Sequence, residues 1–215
     1  MVSDRPGLAS RIDHLVVAAP ALEVATNYIE RLLGVAATPG GRHAAWGTRN
    51  ALLALGPDAY LEIVGPDPDR DPGHMPTLFG IDRLEAPRLV TWAAKTRDLE
   101  RSVAVASRGG LRLGRVNAGT RMTPEGAVLT WRLTDPFADR AGGVVPFLID
   151  WGTTPSPGRS AAPGCRLLDL RAEHPEAEQV RGWLATLELE LPVTVGRRPA
   201  LVATIQTPLG PVQLA

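Results

Sequence analysis

One stretch of this chain is laid down twice, and that repetition limits the fold more than any other feature. Residues 11–23, Arg-Ile-Asp-His-Leu-Val-Val-Ala-Ala-Pro-Ala-Leu-Glu, align without a gap on residues 88–100, Arg-Leu-Val-Thr-Trp-Ala-Ala-Lys-Thr-Arg-Asp-Leu-Glu. The far ends match as well, Leu61-Glu62-Ile63-Val64-Gly65 against Leu148-Ile149-Asp150-Trp151-Gly152. Each copy opens on a short apolar run with the length and branching of a buried strand, then changes to helical spacing. Internal duplication of one β-α-β-β-β unit is the simplest account.

In the first unit, residues 11–65, the opening strand Ile12–Val17 leads to a helix over 21–33. Leu22, Ala25, Ile29 and either Leu32 or Leu33 share one face of it, and Gly34 stops it. Glycine punctuation predicts a short strand around 43–46 and a longer one over 50–55. Gly56-Pro57-Asp58 then turns the chain into the strand 60–64. Residues 66–87 are rich in Pro, Asp and Gly and read as a linker. The second unit, residues 88–152, has a helix with Leu99, Val103 and Ala106 inward, ended by Gly109-Gly110. Strands are expected over 112–116, 127–133 and 144–151. After a second linker over 153–164, residues 165–215 read as a shortened β-α-β-β piece: a strand over 166–171, a helix over 175–187, and strands over 200–207 and 210–214. The expected fold class is α+β, with tandem modules forming an open curved sheet around a cavity and a half-module on its edge.

Composition narrows the partners. Lys+Arg and Asp+Glu both number 23, so no net field draws the chain to nucleic acid or to an anionic membrane. No apolar run approaches a membrane span, and the N-terminal residues carry no signal-peptide core. A single cysteine, Cys165, allows no internal disulfide, which fits a reducing cytoplasm; it reads as a small buried residue rather than a nucleophile. Gly109-Gly110 and Gly142-Gly143 read as turns, because neither the spaced glycines nor the lysine of a phosphate-binding loop accompanies them.

His14 in the first strand and Glu62 in the last are residues that a buried strand holds only when they are paired or used. Imidazole with carboxylate suits a satisfied polar pair, a base with its partner in a ligand pocket, or two metal ligands. Phe147, Ile149 and Trp151 share one strand face by alternation; filling the barrel core is the first expectation for them, with an apolar wall for a ligand, Trp46 beside it, as the alternative. Asp150, one residue off the aligned site, would point to the other face. His43 and His74 are the remaining nearby imidazoles, and a surface position is the first expectation for His43, with the mouth of the cavity as the alternative. Arg49, Arg115 and Arg132 are expected on solvated faces.

Ile12-Asp13-His14-Leu15-Val16, Gly40-Gly41-Arg42-His43, Gly47-Thr48-Arg49-Asn50-Ala51-Leu52, Tyr60-Leu61-Glu62-Ile63 and the ending Phe147-Leu148-Ile149-Asp150-Trp151-Gly152 resemble the glyoxalase-like branch of the vicinal oxygen chelate superfamily. The resemblance covers residues 11–152. It implies paired modules around a cavity, a divalent metal (Zn, Mn, Fe or Ni) held by the first and last strands of each module, and a homodimer. At the four ligand positions this chain has His14, Glu62, Thr91 and Ile149, so only the first module keeps metal-binding side chains. The implied function is a small-molecule site: a lyase, isomerase or dioxygenase-like enzyme with a degenerate metal centre, or else a metal-free protein that binds or sequesters an antibiotic-type ligand. His14 and Glu62 are the candidate catalytic and metal residues. His43, Trp46, Asn50, Thr91, Phe147, Ile149 and Trp151 are the candidate pocket.

Overall fold

A computed structural model describes residues 8–57, 59–70, 73, 75–123 and 126–215, so His74 lies outside the described residues. The first unit runs α1 (Leu8–Arg11), β1 (Ile12–Ala18), α2 (Leu22–Leu33), β2 (Thr38–His43), β3 (Thr48–Ala54) and β4 (Tyr60–Pro66). The second runs β5 (Arg88–Lys95), α3 (Leu99–Arg108), β6 (Val116–Met122), β7 (Val128–Thr134) and β8 (Phe147–Asp150). Their eight strands close into one barrel, in the order β1-β4-β3-β2-β6-β7-β8-β5. Within each unit the first and last strands pair in parallel, β1 with β4 and β5 with β8. The units join through the antiparallel β1–β5 ladder on one side and through a thin seam on the other, where Arg42 pairs with Met122.

Strand alternation sorts side chains between two cores. Leu61 and Ile63 of β4 belong to the outer core beneath the helices, whereas Glu62 lines the cavity and Val64 packs with the barrel interior. Ile29 and Leu33 of α2 and Ala106 of α3 pack into the outer core, and α2 ends at Gly34 in the left-handed region (φ 70°). The same core continues through α4 (Ala177–Thr186) and a second sheet, β10-β9-β11-β12. These strands are β9 (Arg166–His174), β10 (Val193–Val195), β11 (Ala200–Thr207) and β12 (Gly210–Leu214).

The duplication and both main helices are as the sequence implies, and four strands differ from expectation. The first module's short strand lies at Thr38–His43, while 44–46 is a 3-10 turn closed by Gly47. Its Thr-Pro-Gly-Gly content resembles a turn, yet the barrel needs this backbone to approach β6: a methyl on Gly41 would overlap the carbonyl oxygen of Met122. In the second module the strand falls at Val116–Met122 rather than 112–116. Leu111 and Leu113 are buried outside the ladder, and Gly114 bends the chain at φ 72°. Strand β6 itself buries only Gly119 and Arg121, so it carries no apolar period to read. The last strand is shortened to Phe147–Asp150, because Val144 and Val145 are spent in a loop where the Val144 carbonyl accepts the Trp92 indole N–H at 2.8 Å. The C-terminal piece gains β10, parallel to β9.

Because Ile205 of β11 belongs to the core that also holds Leu15 and Leu61, Ile205→Ala is expected to destabilise the barrel as well as the C-terminal sheet. Urea unfolding monitored by tryptophan fluorescence and by far-UV dichroism should show a loss of about 2–5 kcal/mol in one coincident transition. Separated transitions would mean the C-terminal sheet folds by itself.

Candidate functional site

The barrel encloses a cavity at the level where β1 and β4 begin. The register places His14 beside Tyr60 and Val16 beside Glu62. Ile12 faces the outer core and His14 the inside although they are two residues apart, because a register shift against β5 inserts Asp13 as an extra residue. The bulge lets adjacent Asp13 and His14 side chains meet: Asp13 Oδ1 is 2.7 Å from His14 Nδ1. Asp13 is fully buried and also accepts the indole N–H of Trp151 at 3.2 Å from each of its oxygens. A carboxylate has only acceptors, so Nδ1 of His14 carries a hydrogen and the ring presents Nε2 to the cavity.

Glu62 Oε2 stands 3.6 Å from that Nε2, beyond hydrogen-bond length. Its other oxygen, Oε1, accepts the Asn50 amide at 2.6 Å. The Asn50 carbonyl accepts in turn from the Gly41 backbone at 2.9 Å and from Arg121 Nη1 at 3.0 Å, which fixes the orientation of the amide. Gly40 makes room for this relay, since a methyl there would overlap both the Asn50 oxygen and the Arg121 guanidinium.

His43 is buried, not at the surface, with Nε2 4.0 Å from Glu62 Oε1 and Nδ1 3.1 Å from the Thr48 hydroxyl. Burial holds its pKa down to about 4, with Arg121 adding to the fall and Glu62 opposing it. This imidazole is therefore neutral near pH 7. Burial likewise pushes the Tyr60 phenol well above its usual value; its ring stacks on His14 at 4.7 Å between centroids.

Trp46, Phe147, Ile149 and Trp151 all line the cavity, as does Asn50, joined by Trp131 and Phe79. Phe147 meets His14 edge-on at 5.4 Å, and Trp131 meets Trp151 at 5.1 Å. Thr91 does not join them: its hydroxyl donates to the Gly143 carbonyl at 3.1 Å, away from the cavity lining. Asp150 points elsewhere and caps the Gly152 amide. Arg49 and Arg132 pair with Glu23 and Glu100 on the outside. Burial raises the Cys165 thiol pKa, consistent with a packing role.

The residues do not fit the four-ligand metal centre that the resemblance implies. Thr91 and Ile149 stand at two of the four positions, Oε1 of Glu62 is engaged by Asn50, and His43 approaches that same oxygen. Among the described residues no group of three or more His, Cys, Asp or Glu side chains is placed to hold a metal ion.

Asp13 and Arg121 are functional candidates that a period-two pattern does not pick out. Asp13 occupies what alternation marks as the outer face, and only the bulge brings it to His14. The one available signal is an acidic residue inside the apolar run 12–17. Arg121 sits in a strand with no apolar period at all.

A model of the glyoxalase-like domain matches residues 12–188. The chain is similar to a crystal structure of a hypothetical protein from Staphylococcus aureus, with TM-score 0.61 and 15% identity, covering 88% of this chain and 87% of that one. It is also similar to methylmalonyl-CoA epimerase from Mycobacterium tuberculosis (TM-score 0.44, 22% identity, 71% of this chain and 93% of that one). A further similar structure is Streptomyces coelicolor methylmalonyl-CoA epimerase in complex with 2-nitronate-propionyl-CoA (TM-score 0.43, 19% identity, 69% and 99%). At these identities the likeness is one of fold, and it rests on the Staphylococcus aureus structure. No curated protein matches the chain.

Two outcomes follow from this geometry. His43 has a folded pKa of about 4 against 6.5 when unfolded, so between those values the unfolded chain binds the proton and the folded one does not. Its stability contribution is complete above pH 6.5 and is lost as pH falls toward 4, by at most about 3 kcal/mol. His43→Gln should flatten the slope of unfolding free energy against pH in that window, and an unchanged slope would contradict the burial. Second, titrating Zn²⁺ or Ni²⁺ into chelator-treated protein by calorimetry should give no one-equivalent binding. A stoichiometric isotherm abolished by His14→Ala would show that the donor set fits after all.

Proposed function

The chain belongs to the glyoxalase-like domain family of the vicinal oxygen chelate superfamily, and on that premise we propose that it is a small-molecule enzyme of the isomerase or lyase type. It would act by proton transfer in the barrel cavity, without drawing on the metal positions that the second module has lost. The observation that carries this reading is the pair His14 Nε2 and Glu62 Oε2, 3.6 Å apart and each held from behind, His14 by Asp13 and Glu62 by Asn50.

Two bases on either side of one space suit an isomerisation in which one removes a proton from a carbon next to a carbonyl and the other returns one at a neighbouring position. Starting from ionised Glu62 and neutral His14, the proton that Glu62 takes from carbon passes on to His14 Nε2, which delivers it at the neighbouring position, so that both groups end the cycle as they began it. His14 can carry a proton because Asp13 lies against its far nitrogen and stabilises the imidazolium. Asp13 is a positioning residue, since it meets the reacting space only through His14. Tyr60, stacked on the imidazole, limits its rotation. The closed aromatic walls keep bulk water from the reacting carbon.

A metal-free binding protein is the second reading, favoured by the five aromatic rings of Trp46, Phe79, Trp131, Phe147 and Trp151 around the cavity. The lone buried Cys165 and the lack, among the described residues, of any helix long and apolar enough to cross a membrane suit a cytoplasmic setting for either reading.

The test is incorporation of solvent deuterium into a panel of keto and hydroxy compounds, followed by NMR. Glu62→Gln and His14→Asn should each slow exchange by about 10²–10⁴-fold. Asp13→Asn should slow it while leaving the folded state intact by dichroism, because the ring is then free to take the other tautomer. Exchange that survives both Glu62→Gln and His14→Asn at full rate would sink the acid–base reading, and retained affinity without any exchange would select the binding protein.

A further inference from the structure

The polar end of the cavity is made of acceptors. With Nδ1 of His14 donating to Asp13, the ring in its neutral form turns a lone pair on Nε2 toward Glu62 Oε2, which when ionised also has only lone pairs to offer. Two such atoms 3.6 Å apart in a buried space repel unless a donor lies between them. Two nearby donors are turned elsewhere: the Asn50 amide is committed to the other oxygen of Glu62, and Trp151 turns its indole N–H back onto Asp13.

Charge points the same way. Two carboxylates, Asp13 and Glu62, face one guanidinium, Arg121, whose Nη1 is turned to the Asn50 carbonyl. An anionic ligand would meet this excess of negative charge in a low-dielectric space, where each unfavourable pair counts far more than in water. A neutral ligand carrying a donor meets the reverse.

The walls supply shape. Trp46, Trp131 and Trp151 form one group of rings, with centroids 6.5 Å apart for the first pair and 5.1 Å for the second. Phe147 and Phe79, stacked at 5.8 Å, form a second group of rings. A lining with five aromatic rings favours a flat molecule that can stack on them. The cavity volume is about 40 Å³, room for roughly three waters, so a ring-sized ligand enters only if a wall moves. Phe79 is placed to do so: it sits at φ 54° in the left-handed region, with Gly80 beside it at φ 72°. That conformation costs a residue with a Cβ about 1–3 kcal/mol, so leaving it is not opposed by the backbone.

Resting on the proton-transfer reading of this site, we propose that its substrates are planar, uncharged molecules that present a hydroxyl or N–H donor to Glu62 and His14. Carboxylates and phosphates are excluded from the same position. The donor of the substrate replaces the missing hydrogen between the two acceptors, and its flat body lies against the aromatic rings.

Phenol, benzoate and benzene separate the contributions, because they share a ring and differ in donor and charge. Quenching of tryptophan fluorescence should show saturable binding of phenol at least tenfold tighter than of benzoate, with benzene weaker than phenol. In Glu62→Gln, where the side chain can itself donate, the preference of phenol over benzene should shrink several-fold. The same titrations in Phe79→Ala, which opens the wall, ensure that a closed mouth does not hide the site. Benzoate binding as well as phenol in both backgrounds, or no saturable phenol binding in either, would overturn the proposal. If phenol is preferred but no compound exchanges deuterium, the substrate class stands and the proton-transfer reading fails. If exchange occurs and benzoate is preferred, the reverse holds.

Discussion

A carboxylate enclosed on every side must be met by donors, and the carboxylate of Asp13 shapes this molecule more than any other group. It receives one hydrogen from His14, its neighbour in β1, and another from Trp151, just beyond the last strand of the second module. One interaction therefore does two things. It orients the imidazole in the first module, and it ties that module's opening strand to the far end of the second, across the place where the barrel closes. Removing either donor would strand a buried charge, which costs several kcal/mol, so closure of the barrel and the aim of His14 are coupled.

The two modules have divided the work. The first holds the titrating groups, His14, His43 and Glu62, and the amide relay through Asn50. The second presents Trp131, Leu133, Phe147, Ile149 and Trp151 as apolar surface. Duplication gives both modules the same strand positions, so the inward position of β8 that matches Glu62 is filled by Ile149, and the β5 position that matches His14 by Thr91. From the second module Arg121 donates to the Asn50 carbonyl, and Trp151 donates its indole N–H to Asp13. A site built this way takes its acids and bases from one module and most of its apolar surface from the other.

Much of this was legible in the chain because it rests on period and repetition. The gapless match of 11–23 with 88–100 is enough to predict paired modules. His14 and Glu62 stand out as misfits in apolar runs, and alternation along Phe147, Ile149 and Trp151 predicts one shared wall. What was not legible depends on breaks in periodicity. A bulge of one residue brings Asp13 to His14, and nothing in a period-two pattern marks it. Strand β2 reads as a turn because its glycines serve close approach to β6 and to the Asn50 relay. Strand β6 reads as loop because Gly119 and Arg121 are its buried residues. The burial of His43 follows from where β2 ends, so an error of a few residues in that strand displaced the histidine from cavity to surface.

The two imidazoles of the cavity show how surroundings rather than residue type assign roles. Both approach Glu62, at 3.6 Å and 4.0 Å. His14 has a carboxylate against its other nitrogen, whereas His43 has only the Thr48 hydroxyl, and Arg121 adds to the burial that keeps it neutral. A proton arriving in this space is therefore stabilised on the Asp13 side of Glu62 and not on the His43 side. His43 then acts as a neutral polar wall, its ring packed edge-on against Trp131 at 6.0 Å. If the proposed proton transfer holds, that asymmetry sets its direction, between Glu62 and His14 rather than toward His43.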